Sequence, residues 1–223
     1  MNTSIFGLTH LQLPILAYEW GQQGPQVLIL GGVHGNESEG VTACLGIMQK
    51  FQEKYTFNLR VTIVPCLNWD GLMKLERRNY RGVDLNRNLP TKDWTNHISE
   101  EKYNPGLAAN SEPENHALVK YINDKKPAYI YSLHSWKPCL NINGDSRPEA
   151  EVIAQKTGYN IVEDIGYPTP GCLGAYAAIE RQIPTLTYEI ERGLDGKKIV
   201  AIHVPAVIES LSTLEKRLNK NER

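Results

Sequence analysis

A histidine and a glutamate three positions apart are the first side chains in this sequence that could do chemistry together. They are His34 and Glu37, in the glycine-rich segment Gly31 to Glu37, which follows the apolar run Gln26 to Leu30 and precedes a helical pattern from Ser38 to Lys54. This order predicts a turn between a buried strand and a helix, where open α/β sheets collect their functional groups. An imidazole and a carboxylate suit a dication such as zinc. The pair alone is equally compatible with a surface hydrogen bond.

Two later predicted strands end with side chains of the same kind. The apolar run Pro127 to Leu133 is followed directly by His134, and the run Pro184 to Ile190 carries Glu189 near its end. The carboxyl ends of parallel strands meet at one edge of a sheet, so we expect both residues beside the first pair. Two histidines and one carboxylate leave the fourth position of tetrahedral zinc open, as in hydrolytic zinc sites. Glu189 could then accept a proton from water that zinc activates.

The elements that must position these residues alternate between strands and helices along the chain. This alternation, without repeats or a linker, predicts a layered α/β fold on a mixed, largely parallel sheet. Apolar alternation or β-branched runs predict strands at Leu13–Trp20, Gln26–Leu30, Leu59–Cys66, Pro127–Leu133, Tyr159–Glu163 and Pro184–Ile190. Helical spacing predicts helices at Ser38–Lys54, Arg147–Gly158 and Leu173–Gln182, with a closing helix from Ile199 to about Asn219.

Between the third strand and the next helix, the pattern of apolar residues fails. Residues 68–110 carry many charges and no sustained period, so we expect a long loop with a functional role. The sequence from Ser111 to Glu114 then has the form of a capping box, with Ser111 as N-cap. It predicts a helix from there to about Asp124.

Length and charge restrict the possible partners. The 223 residues, 41% of them hydrophobic, suit one domain spanning 1–223. The 24 basic and 25 acidic residues are balanced, and no basic cluster pairs with aromatic residues, so a nucleic-acid partner is not expected. Met1 to Gly24 has no signal-peptide pattern and no stretch approaches 18 consecutive apolar residues, so we expect a cytoplasmic protein without a membrane partner. The four cysteines lack CxxC spacing and are expected to be free thiols, buried at Cys44 and Cys66.

The chain as a whole resembles the zinc carboxypeptidase family of the carboxypeptidase A type (M14), and within it the bacterial murein peptide amidases. The resemblance implies a single-domain, three-layer α/β/α fold with a mixed, largely parallel twisted sheet, and one zinc ion per chain. The HxxE pair alone is unspecific, but the order of all the motifs is characteristic. They are His34–Glu37, Arg77–Asn79, Gly82–Asn88, Ser111–Glu114, Leu133–Ser135, Gly166–Gly171 and Tyr188–Glu189.

The resemblance also implies roles for individual residues. The zinc ligands would be His34, Glu37 and His134, and Glu189 would be the general base and acid. Asp84 matches the carboxylate that orients a ligand imidazole.

Four further residues are similar to groups that contact the substrate in this family. Asn86 and Arg87 match the pair that binds the terminal carboxylate of the substrate, and Arg77 matches the arginine that stabilises the oxyanion. Tyr167 precedes Glu189 by the interval of the mobile substrate-capping tyrosine, although a plain loop tyrosine would fit the same position. The family also carries a non-proline cis peptide at the position of Ser135-Trp136, which we expect here.

The substrate implied by the resemblance is a small murein peptide, cleaved between γ-D-glutamate and meso-diaminopimelate during cell-wall recycling. Part of the pattern also resembles the aspartoacylase and succinylglutamate desuccinylase group, which deacylates N-acyl amino acids. Only about 30 residues follow Glu189, too few for the C-terminal domain typical of aspartoacylases, and Arg77–Asn79 favours a peptidase. A zinc-binding module without activity should lack a ligand or the base, and all of these residues are present.

Overall fold

Eight strands, most of them rich in β-branched and aromatic residues, form one mixed sheet in the computed structural model, which describes residues 1–221. Across the sheet the strands follow the order β1-β2-β4-β3-β5-β8-β6-β7. Their bounds are β1 (Asn2–Leu8), β2 (Pro14–Trp20), β3 (Gln26–Gly31), β4 (Arg60–Val64), β5 (Tyr129–Trp136), β6 (Cys139–Asn143), β7 (Asn160–Val162) and β8 (Thr185–Glu191).

The four central strands, β4, β3, β5 and β8, run parallel to one another. β3, β4 and β5 are buried along nearly all of their length, which explains their mostly apolar sequences, whereas β8 alternates between core-facing and cleft-facing residues. β2 joins β4 and β6 joins β8 in antiparallel pairs, so the sheet is mixed. Because β3, β5 and β8 are parallel, their carboxyl ends lie at one edge, and the register sets His134 directly opposite Glu189.

Helices cover both faces of the sheet and complete the predicted three layers. The helices are α1 (Ser38–Glu53), α2 (Trp69–Lys74), α3 (Pro113–Lys125), α4 (Arg147–Thr157), a single turn α5 (Gly196–Lys198) and α6 (Val204–Asn221). One core packs α1, α4 and α6 against the sheet, and the other packs α3 and the π-helical segment Gly174–Ile179 against the opposite face. No helix within residues 1–221 is long and apolar enough to cross a membrane.

Several local predictions were wrong. β1, β6 and α2 were not predicted, because they are short and lie in segments with weak periodicity. The capping box does not form: α3 has Glu112 as its N-cap without a side-chain cap, and Ser111 donates its hydroxyl hydrogen bond to Glu112 instead. The predicted helix after Leu173 is a π-helical segment. The four cysteines are free thiols, and Cys44 and Cys66 are buried as predicted.

Candidate active site

The three predicted zinc ligands meet at the carboxyl edge of the sheet. His34 and Glu37 lie in the turn after β3, and His134 lies on β5. The Nδ1 atoms of the two imidazoles are 3.2 Å apart, and each also contacts one carboxyl oxygen of Glu37, at 2.9 Å from His34 and 2.8 Å from His134. All three side chains are buried. The histidines hold the pKa of Glu37 well below its usual range, although burial alone would raise it.

The other nitrogen of each imidazole has a fixed partner. Nε2 of His34 lies 3.0 Å from Oδ1 of Asp84, and Nε2 of His134 lies 2.9 Å from the hydroxyl of Ser132. Arg77 donates its Nε hydrogen bond to the second oxygen of Asp84 at 2.9 Å. Burial opposes ionisation of Asp84, but Arg77 and His34 outweigh it and hold its pKa well below the usual range. The contacts at Nε2 therefore fix the orientation of both rings, and the Nδ1 atoms point towards Glu37.

This arrangement fits a zinc ion. One ligand atom from each of His34, Glu37 and His134 lies within 4.8 Å of the others, and these are donor types that zinc prefers. Nε2 of His34 donates to the Asp84 carboxylate, so Nδ1 of that ring, when neutral, has a lone pair. This lone pair faces a carboxylate oxygen of Glu37, which is also an acceptor. A cation between them would resolve this conflict.

Glu189, on β8, lies in the same cleft as the predicted zinc ligands, but one of its carboxyl oxygens lacks a hydrogen-bond partner among the described residues. Its Oε2 atom is buried and has no hydrogen-bond partner in the described part of the chain. Burial raises the pKa of Glu189 to about 7, and the nearby Glu37 carboxylate adds to the increase while His134 opposes it. A carboxyl group with a pKa near neutrality is well suited to accept and return a proton.

Two predicted substrate-binding residues, Asn86 and Arg87, also line the cleft, in the 3₁₀ turn Leu85–Arg87. The Oδ1 atom of Asn86 accepts the backbone hydrogen bond of Leu173 at 2.9 Å, which fixes the amide. Arg87 is buried and donates to the carbonyl of Asn86 at 2.6 Å. Within the described residues, no carboxylate forms an ion pair with this guanidinium.

Aromatic rings lie beside Arg87 in the cleft. The ring of Tyr167 stacks on Tyr103 at 5.9 Å and meets Trp136 edge-on at the same centroid distance. The guanidinium of Arg87 lies 5.1 Å from the ring of Tyr103 and 5.9 Å from that of Tyr167. Tyr167 therefore lines the cleft beside Arg87, and the substrate contact that the resemblance implies for it stays a prediction.

Sequence reasoning missed the polar floor of the cleft. The cleft has a volume of about 270 Å³, and its floor includes Asn141 and Asn143 on β6 and Thr187 on β8. Their neighbours along the strands, Leu140 and Leu186, face the core on the other side of the sheet. The alternation in Cys139–Asn143 was the available signal, but five residues were too few to identify a strand. Arg192, which also lines the cleft, was missed as well.

The predicted cis peptide between Ser135 and Trp136 is wrong. No peptide bond in the described residues is cis. β5 continues through both residues, and Trp136 pairs in register with Glu191 on β8. The trans bond keeps the backbone extended through the end of this pairing.

Comparisons with known proteins agree with the geometry. Murein peptide amidase A of Vibrio campbellii (strain ATCC BAA-1116) is 27% identical over 198 residues, which cover 83% of this chain and 77% of that protein. Murein peptide amidase A of Escherichia coli (strain K12) is 32% identical over 162 residues, covering 68% and 65%. The crystal structure of murein-tripeptide amidase MpaA from Escherichia coli O157 superposes with a TM-score of 0.80 at 25% identity, covering 94% of this chain and 92% of that one.

More distant structures share the fold. Bovine thrombin-activatable fibrinolysis inhibitor, in complex with tick carboxypeptidase inhibitor, superposes with a TM-score of 0.82 at 18% identity, covering 99% of this chain and 90% of that one. The family model for zinc carboxypeptidases matches residues 4–194. The chain therefore belongs to the zinc carboxypeptidase family, whose members are zinc-dependent hydrolytic enzymes.

Proposed function

We propose that the protein is a zinc metallocarboxypeptidase that cleaves murein peptides between γ-D-glutamate and meso-diaminopimelate. The observation that carries the proposal is the meeting of His34, Glu37 and His134 in one cleft with Glu189, whose buried oxygen has no partner. The similarity to two murein peptide amidases supports the choice of substrate. We assign the reaction to one catalytic domain spanning 1–223 and acting in the cytoplasm, where the resemblance places recycling of cell-wall peptides.

His34, Glu37 and His134 would hold one zinc ion per chain. The chemistry that zinc supplies when bound is polarisation of the scissile carbonyl and a lower pKa for water. Glu189 would accept the proton of the attacking water on its free oxygen and later deliver it to the leaving amine. Its pKa of about 7 makes both transfers feasible in one cycle.

Arg77 would stabilise the negative charge that develops on the carbonyl oxygen. Its side chain is 20% exposed and lines the cleft, and two carboxylates already fix its position. Its Nη1 atom lies 3.5 Å from Glu37, so the guanidinium is next to the proposed metal ligands. A donor fixed before the reaction stabilises the transition state without reorganising.

Asn86 and Arg87 would bind the free carboxylate of the C-terminal residue, with Tyr167 covering it. A buried guanidinium without an ion-pair partner is costly unless the substrate supplies the anion. Arg87 can present its planar donors to both oxygens of a carboxylate. The neighbouring aromatic faces of Tyr103 and Tyr167 restrict its orientation.

The polar floor supports a polar rather than an apolar C-terminal side chain. Asn141, Asn143 and Thr187 offer both donors and acceptors, so they suit the amino and carboxylate groups at the end of diaminopimelate. Gly174 faces this floor, and a Cβ atom there would lie 2.8 Å from the side chain of Asn143. The glycine thus leaves the space that a larger side chain would fill.

The test compares three substrates on zinc-loaded protein. L-Alanyl-γ-D-glutamyl-meso-diaminopimelate should be hydrolysed, and hippuryl-amino acids and N-acetylaspartate should be much poorer substrates. Preferred hydrolysis of N-acetylaspartate would instead support the deacylase group. Metal analysis of the same preparations should give about one zinc per chain, and His34→Ala or His134→Ala should lower this occupancy greatly, because each removes one of three protein ligands. Full occupancy in both variants would place the metal elsewhere.

A further inference from the structure

Two charged-type side chains close to the proposed metal ligands have no role in the proposed reaction: Arg192, which lines the cleft, and Glu39, which is buried. Glu39 lies in the first turn of α1, two residues after Glu37, and is buried. Arg192 directly follows β8, and its side chain is 40% exposed. Arg192 contacts Glu37 directly, whereas Glu39 bonds to Ser135, whose backbone N–H contacts Glu37.

The Glu37 carboxylate has donors other than the two histidines. Oε1 accepts from Nη2 of Arg192 at 3.1 Å, and Oε2 accepts from the backbone N–H of Ser135 at 3.2 Å. The imidazoles would turn to the metal when it binds, whereas these two donors can stay. Both are closer to the carboxylate than Arg77, whose Nη1 atom lies 3.5 Å from Oε1, so they can fix its direction in both states.

Glu39 holds the two segments that carry these donors. Its Oε2 atom accepts the hydroxyl hydrogen bond of Ser135, and its Oε1 atom accepts the backbone hydrogen bond of Gly193, each at 2.6 Å. Glu39 forms no ion pair in the described chain, so its burial is costly and these two hydrogen bonds are its compensation. The close approach depends on Gly40, where a Cβ atom would lie 2.2 Å from the carbonyl oxygen of Leu133.

Arg192 connects segments at the carboxyl ends of three different strands. Besides Glu37, its Nη2 atom donates to the carbonyl of Ser135 at 2.5 Å, and its Nη1 atom donates to the carbonyl of Asn36 at 3.0 Å. Its own backbone N–H donates to the carbonyl of Trp136 at 3.1 Å. One guanidinium therefore ties the ends of β3 and β5 to the end of β8.

We propose that Arg192 and Glu39 are positioning residues for the metal ligand Glu37, Arg192 by direct contact and Glu39 by holding Ser135 and Gly193. This inference rests on the proposed zinc site. Groups that orient a metal ligand typically contribute about 10- to 100-fold to metal affinity. We expect a loss of this size in zinc affinity for Arg192→Met and a loss at the lower end for Glu39→Ala, which acts one step further away.

The experiment measures zinc affinity by competition with a chromogenic chelator. Arg60→Met is the matched control, since Arg60 is exposed and its side chain donates to the carbonyl of Gly24, away from the cleft. Zinc affinity should fall in Arg192→Met, recover in part in Arg192→Lys, and stay at the wild-type value in Arg60→Met. Zinc affinity in Arg192→Met that equals or exceeds that of the wild type would overturn the proposal.

Two further measurements separate positioning from substrate binding and from loss of fold. At saturating zinc, a positioning role lowers kcat with little change in KM, whereas raised KM with unchanged zinc affinity would make Arg192 a substrate-binding residue and overturn the proposal. In cobalt-substituted protein, Arg192→Met should shift the visible absorption bands, which report ligand geometry, and Arg60→Met should not. If Arg192→Met does not fold, Arg192→Lys and Glu39→Ala carry the same test.

Failure of this inference differs from failure of the proposed function. If the wild-type protein binds no zinc, or if His134→Ala binds zinc as tightly as the wild type, the proposed zinc site is refuted. The positioning role is then refuted with it. If His134→Ala loses zinc while both Arg192→Met and Glu39→Ala bind it as the wild type does, the zinc site stands and only the positioning role is refuted.

Discussion

Two clusters of buried polar side chains include residues of the long segment between β4 and α3, and they differ in how completely their hydrogen bonds are satisfied. The cleft cluster contains His34, Glu37, Asp84, His134 and Glu189. The second, which we call the anchor cluster, contains Asn79, Asn88, Glu112, Glu114 and Asn115. Both include buried carboxylates, so polarity alone does not tell them apart.

In the anchor cluster, nearly every polar atom has a partner. Asn79 donates to Glu112 at 2.8 Å and to Glu114 at 3.3 Å, and its Oδ1 atom accepts two backbone N–H groups. The remaining carboxyl oxygens accept from Ser111 and from the backbone of His10. The exception is Oδ1 of Asn115.

The cleft cluster is left incomplete where the substrate and the metal would bind. Glu189 keeps a buried oxygen without a partner, and the two histidines turn their Nδ1 atoms towards each other. An incomplete buried cluster costs stability, whereas a complete one fixes a loop. Among the described buried carboxyl groups of these two clusters, the one with an oxygen that lacks a partner is Glu189, in the cleft, so an unsatisfied carboxyl oxygen distinguishes the cleft cluster better than buried charge does.

The largest expected effect is that of Glu189→Gln in the cleft cluster. The amide fills the same space but cannot accept the proton, so kcat should fall by about 10²- to 10⁴-fold while zinc stays bound. Steady-state kinetics and metal analysis measure this. A variant that keeps more than about a tenth of the wild-type rate would remove Glu189 from the mechanism.

Glu189→Gln should not destabilise the fold, whereas a substitution in the anchor cluster should. Folding raises the pKa of Glu189 from 4.5 to about 7, so the carboxylate lowers the stability of the folded state as pH rises through that interval. Glutamine has no such penalty. Urea unfolding of zinc-free protein at about pH 8 should give Glu189→Gln a free energy of unfolding equal to or above that of the wild type.

The next effect concerns Arg87, whose missing partner we assign to the substrate. Arg87→Ala should lower kcat/KM for the free-acid peptide by about 2 to 4 kcal/mol, the scale for truncating one partner of a buried charge pair. The C-terminally amidated peptide should be a poor substrate for the wild type and change little in the variant. Equal cleavage of acid and amide by the wild type would contradict a carboxypeptidase.

In the anchor cluster, Asn79→Ala should act on stability. It leaves two carboxyl oxygens and two backbone N–H groups without their partner, and we expect the free energy of unfolding to fall by about 2 to 4 kcal/mol. Urea denaturation measures it, with the exposed Asn96→Ala as the matched control. A loss below about 0.5 kcal/mol, the range of ordinary surface substitutions, would show that the anchor cluster contributes little.

The sequence predicted the central parallel strands and the meeting of His34, Glu37 and His134, because long apolar runs and strand ends are local signals. It did not predict the floor residues Asn141 and Asn143, since β6 becomes a strand only by pairing with β8 and β7. The contacts of Arg192 could not be predicted for a related reason, because its hydrogen-bond partners all lie far away in sequence. Such tertiary contacts leave no periodic signal.

The anchor cluster shows that a local motif can also predict hydrogen bonds that do not form. Ser111 and Glu114 fit the spacing of a capping box, yet Glu114 instead accepts from His10 and Asn79. Tertiary partners more than thirty positions away replaced the local hydrogen bonds that the motif predicts. The roles that the sequence assigned to Asn86, Arg87 and Tyr167 remain predictions, now with a common location in the cleft.

The smallest effect comes from a buried titratable group outside both clusters. His203, at the end of the π-helical turn before α6, is buried in the core below β8 and hydrogen-bonds to the hydroxyl of Tyr188. Burial lowers its pKa from 6.5 to about 4, because the charged form has no compensating anion. Between these values the unfolded chain binds more protons than the folded one, so stability should fall as pH drops from 6.5 to 4.

His203→Gln keeps a hydrogen-bonding side chain for Tyr188 but removes this titration. Lowering the pH from about 8 to 5 should cost the wild type about 2 kcal/mol more free energy of unfolding than the variant. Urea titrations of zinc-free protein at both pH values measure the difference, with the exposed His116→Gln as control. Parallel pH dependence in His203→Gln and wild type would show that His203 does not lower stability in acid.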